Sequence, residues 1–125
     1  MKRYAAQLLF QFKVLVNGEP GKRRICEERI VIISARTAQS ALSKAKIKGK
    51  KAEHRYMNSD GNPVHFEFIG IMELLELGIE CGLDEVWYDI KERLLPLERR
   101  EKLIPPESAL NAIRHSRSEI PETPS

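Results

Sequence analysis

Residues 4–16, YAAQLLFQFKVLV, alternate too regularly for more than one local structure. Tyr4, Ala6, Leu8, Phe10, Phe12, Val14 and Val16 recur at every second position, while Arg3, Gln7, Gln11 and Lys13 take the other side. Successive side chains of a strand point to opposite faces, so this spacing predicts a β-strand with an apolar face. A strand this long cannot bury that face or satisfy its backbone alone, and the following sequence has to supply the partners.

The turn cluster "NGEPGK" (17–22) predicts a fold-back, and the β-branched run "RICEERIVII" (24–33) a second, antiparallel strand. Thr37 is placed to cap a helix over 38–48, with Ala38, Ala41, Leu42 and Ala45 as a narrow stripe and Gly49 as a left-handed C-cap. Strands at about 51–57, 63–75 and 84–94 follow. The expected fold is α+β: an antiparallel sheet of about five strands in the order β-β-α-β-β-β with one main helix, over residues 1–94. Residues 95–125 carry five prolines and form a C-terminal extension, with a short helix near 106–115 and a disordered end from Ser116.

Regular strands would also direct Leu9, Leu15, Val31, Ile33, Ile69 and Ile71 away from the Leu8, Phe10 and Phe12 face. One helix covers one face. The second face therefore calls for a cover, either segment 95–115 or a second subunit in a homodimer.

Composition narrows the function classes. Cys26 and Cys81 make neither a disulfide framework nor a metal-spaced cluster. The apolar N-terminus is interrupted by Gln7, Gln11 and Lys13 and lacks a small-residue cleavage site, so a cytoplasmic location without a membrane span is expected. No nucleophile elbow, P-loop, dinucleotide fingerprint or metalloprotease helix occurs, and no cofactor or metal is expected.

The hairpin "HRYMNSDGNPVHFEF" (54–68) looks like a site because His54 and His65 flank Asp60. A two-residue loop would set His54 against Glu67 and Tyr56 against His65 on one face. A three-residue loop, Ser59-Asp60-Gly61, instead sets Tyr56 against Val64 and His54 against Phe66, with His65 on the opposite side facing Arg55. The second register gathers Tyr56, Val64, Phe66 and Phe68 on one apolar face, so burial selects it and separates the histidines.

Taken together, "YAAQLLF", "CEERIVIISA", "HRYMNSDGNPVHFEFIGIMELLEL" and "DEVWYDI" resemble a small bacterial family, domain of unknown function 4288. The resemblance runs over roughly residues 3–90. It rests on Glu27, Glu28, Ala41, Ala45, Tyr56, Asn58, Gly61, Phe66, Phe68, Gly70, Ile71 and Val86. It implies a fold and a bacterial source, and it implies no activity. Residues 81–83 and the chain beyond Leu95 depart from the pattern.

Charge is segregated. Residues 1–52 carry a net +10, residues 53–94 a net −7, and residues 95–125 none. Interleaved strands that neutralise one another account for this structurally; a self-complementary surface or a nucleic-acid face accounts for it functionally. The expected function is a non-catalytic protein-interaction module, regulatory or toxin-neutralising (immunity-like). Its partner contacts are assigned to Trp87, Asp84, Glu85, Asp89, Leu110 and Ile113. The alternative is a nucleic-acid-binding module using Arg36, Lys44, Lys48 and Lys51, although cations near a helix C-terminus also suit its dipole and no aromatic is interleaved with them. A third reading is an enzyme with a shallow site near Glu28, His54 and Tyr56. On that reading Glu28, if it lies on a buried strand face, is an acid in want of a partner.

Overall fold

The fold was described from a computed structural model, in which residues 1–77, 87–94 and 96–119 are placed. Strand β1 (Lys2–Val16) turns through Asn17 and Gly18 into the two-residue β2 (Glu19–Pro20), and β3 (Arg23–Ala35) returns along β1. Helix α1 (Ala38–Ala52) leads to β4 (His54–Met57), β5 (Pro63–Leu77) and β6 (Trp87–Leu94). All pairings are antiparallel, in the order β4-β5-β1-β3-β6 with β2 paired beside β1. This is the α+β sheet with one main helix that the alternation predicts.

Local chemistry explains the ends of α1. The Thr37 side chain accepts a hydrogen bond from the Ser40 backbone N–H at 3.1 Å. Gly49 is not the expected C-cap: the helix continues to Ala52 and is capped by Glu53 in extended conformation. A Cβ on Gly49 would lie 2.5 Å from the Phe68 ring, so the glycine is there for close helix–sheet contact.

The helix stripe Ala38, Ala41, Leu42 and Ala45 packs on Tyr4, Ala6, Leu8 and Phe10 of β1. Val31 and Ile33 of β3 and Ile71 and Leu74 of β5 belong to the same core, which corrects the face expected for Val31, Ile33 and Ile71. Two causes operate. The β1–β3 register pairs Tyr4 with Ile33 and Ala6 with Val31, so odd positions of β3 share a face with even positions of β1. In β5, register shifts leave Ile69 and Met72 without partners, and each extra residue reverses the parity of those beyond it.

The other face holds Leu9, Cys26 and Ile69, covered by Leu97, Leu103 and Ile104. Here the expectation that the C-terminal segment is the cover holds for its first part. Residues 96–104, including α2 (Arg100–Leu103), lie on this face, with Ile104 against Gly70. A 3₁₀ turn at Glu107–Ala109 and helix α3 (Asn111–Glu119) then bring Leu110, Ala112 and Ile113 into the α1-side core. The segment thus wraps from one face of the sheet to the other past β5, where β4 no longer pairs beyond Phe66. The helix begins later than the expected 106–115 and runs through Ser116 to Glu119, because Pro106 starts the 3₁₀ turn rather than α3.

Candidate functional site

The hairpin takes the three-residue register. His54 pairs with Phe66, Arg55 with His65 and Tyr56 with Val64. Asn58 Oδ1 accepts from the N–H groups of Asp60 and Asn62, and Gly61 closes the turn at φ +80°. The two histidines lie on opposite faces. His54 sits with its ring centroid 5.0 Å from Phe66 and 5.7 Å from Tyr56, and its Nδ1 is 2.9 Å from the Ala52 carbonyl oxygen. Among the described residues no three His, Cys, Asp or Glu side chains gather as a metal would need.

Glu28 does not join His54 and Tyr56, which corrects the third reading. It lies on the face of β3 covered by residues 96–104, with β1 and β5 between it and β4. There Glu28 Oε1 accepts from Gln7 Nε2 at 2.9 Å. Its neighbours form a buried polar seam. Arg24, only 3% exposed, donates to both carboxylate oxygens of Glu98 at 2.7 and 2.9 Å, to Gln11 Oε1 at 3.1 Å and to the Gly21 carbonyl at 2.7 Å. Gln11 Nε2 donates in turn to Glu67 at 2.7 Å. The bidentate Arg24 guanidinium holds the Glu98 carboxyl below the usual carboxylate range, outweighing its partial burial. Gln11, on the side of β1 opposite the Phe10 face, is fully buried. Glu28, on a buried strand face, finds the polar partner it wants in Gln7 of the adjacent strand.

Leu110 and Ile113 are 1% and 2% exposed and fill this chain's own core, so they are not partner contacts. Trp87 and Asp89 lie on β6 opposite Ile30 and Glu28. Asp84 and Glu85 fall outside the described residues. Lys44, Lys48 and Lys51 do come together: they line a groove of about 410 Å³ between α1 and β3, with Ile32, Ile33, Ser34 and Ile47. Lys44 Nζ donates to the Ser34 carbonyl at 2.8 Å, and Arg36 is exposed just before α1.

The apolar face of the sheet is longer than the helix that covers it. Helix α1 ends beside β4, and the rows beyond it carry Phe12, Val14, Val16, Ile25 and Tyr56 on the helix side. Val16 is 52% exposed, Ile25 49% and Tyr56 43%. A groove of about 320 Å³ opens among Phe12, Val14, Val16 and Ile25, and Glu19 and Arg23 also line it. At its border with the helix-covered half, Arg29 lies over the Phe10 ring at 4.9 Å and donates to Glu27 at 2.7 Å. The sequence shows these apolar positions but not their exposure, because strand alternation does not reveal where a helix stops.

The pattern of the family described as Domain of unknown function (DUF4288) matches residues 3–83. The chain belongs to that family. No curated protein and no solved structure is significantly similar to it. The match covers β1 to β5 and α1; β6 and the C-terminal wrap lie beyond it. No helix of the described residues is long and apolar enough to cross a membrane.

Proposed function

We propose that this chain is a non-catalytic protein-interaction module of a bacterial cytoplasmic protein, regulatory or toxin-neutralising (immunity-like). The uncovered half of the sheet carries this reading. Val16 and Ile25, each about half exposed, border a groove with polar residues at its rim, and Tyr56 stands exposed on the same face at β4. A contiguous apolar surface of this kind is costly in water and is the usual signature of a protein contact. The test is affinity capture with wild-type chain and with Ile25→Asp. Partners are expected to be retained by the first and lost from the second. Identical capture by both overturns the reading.

A second reading, nucleic-acid binding, is favoured by the lysine groove, since Lys44, Lys48 and Lys51 present their charges to one channel. Filter binding over a salt series decides it. Binding that weakens steeply with salt and is lost in Lys48→Glu supports this reading, and absence of binding at low salt removes it.

A further inference from the structure

We propose that the uncovered half of the sheet docks a second copy of this chain, giving a two-fold symmetric homodimer. This inference rests on the protein-interaction reading and names the partner. A two-fold contact places one patch against itself, so the patch must be its own complement. Its centre has to be apolar and its rim has to carry both signs of charge.

The surface meets both conditions. Val16 and Ile25 project from two neighbouring strands of one face with Phe12 and Val14 forming the floor between them, and Tyr56 extends the exposed apolar surface across β5 on the same face. Glu19 and Arg23 share that face, at the end away from α1. Among the described residues neither side chain makes a hydrogen bond or ion pair within the chain, so each is available to its opposite in another copy. A polyanion would meet Glu19 at the groove and Glu27 at its border, and of the two arginines that line the groove Arg24 is already held by Glu98. A patch with both charges favours its own copy rotated about the two-fold axis, with Glu19 of each copy facing Arg23 of the other.

Sedimentation equilibrium of the full chain over a concentration series tests the proposal. The wild-type mass is expected to rise from one chain to two. Ile25→Asp is expected to weaken self-association about tenfold or more, because it places a charge at the desolvated centre. Since Ile25 is half exposed, the thermal midpoint of that variant should stay near wild type, which separates lost docking from lost folding. Glu19→Arg and Arg23→Glu should each weaken the dimer, and the double exchange should restore it. A wild-type mass of one chain throughout, or unaltered dimerisation by Ile25→Asp, overturns the homodimer. If the chain is monomeric but still captures other proteins in an Ile25-dependent way, the homodimer fails and the protein-interaction reading stands. If that capture also fails, both fall.

Discussion

Gly49 and Arg24 illustrate opposite ways in which one residue constrains this fold. Replacing a helical glycine by alanine normally gains about 1 kcal/mol of helix propensity. At Gly49 the added methyl would meet the Phe68 ring at 2.5 Å, and overpacking of that kind costs about 1–3 kcal/mol. Gly49→Ala should therefore destabilise in urea unfolding, and should do so less in a Phe68→Leu background. Arg24→Ala should cost about 1–3 kcal/mol, because the buried Gln11 Oε1 loses its donor while Glu98, half exposed, recovers hydration. Glu98→Gln should cost less than Arg24→Ala and in a pH-dependent way. The Glu98 carboxyl titrates lower in the folded chain than in the unfolded one, so its stabilisation is present above the ordinary carboxylate range. It is lost as pH falls through that range towards the lowered folded value. Melting curves should differ between wild type and Glu98→Gln near neutrality and converge in acid.

Among the elements, those defined by local rules were legible in the sequence. The alternation of β1 is a direct reading of strand geometry, Thr37 marks the start of α1, and the register of the β4–β5 hairpin follows from burying Val64, Phe66 and Phe68 together. What was not legible depended on tertiary choices. The parity of β3 against β1 is set by the β1–β3 connection, and the two irregularities in β5 have no fixed sequence mark. Hence regular alternation alone puts Val31, Ile33 and Ile71 on the opposite face from the one they occupy. Helix length was underestimated because a glycine chosen for close contact looks the same as one chosen for a left-handed cap. For the candidate site, the lysine positions were visible from their helical spacing. The uncovered apolar half was not, since it depends on how far α1 reaches along the sheet.

At the scale of the whole molecule, the C-terminal wrap is structural. Leu97, Leu103 and Ile104 seal one face, while Leu110 and Ile113 complete the other. Leu110 and Ile113, fully buried, contribute about 1.5–3 kcal/mol each, and Leu97, Leu103 and Ile104, partly buried, add to that, so the wrap supplies a large share of the stability of an ordinary domain. A chain ending at Leu94 should therefore lose its cooperative thermal transition. Cys26, buried beneath the wrap, gives a second readout. In a Cys81→Ser background its thiol should resist a thiol-specific reagent in the full-length protein and react quickly after truncation.

The wrap also orders events in time. A chain emerging from the ribosome presents β1 to β5 and α1 first, residues 97–104 then close one face, and the α1-side core closes only once Leu110 and Ile113 have left the exit tunnel. Synthesis interrupted before Leu97 yields a polypeptide with an open sheet and a reachable thiol, recognisable to proteolytic quality control. Native packing of the sheet thus waits on residues translated well after its own strands.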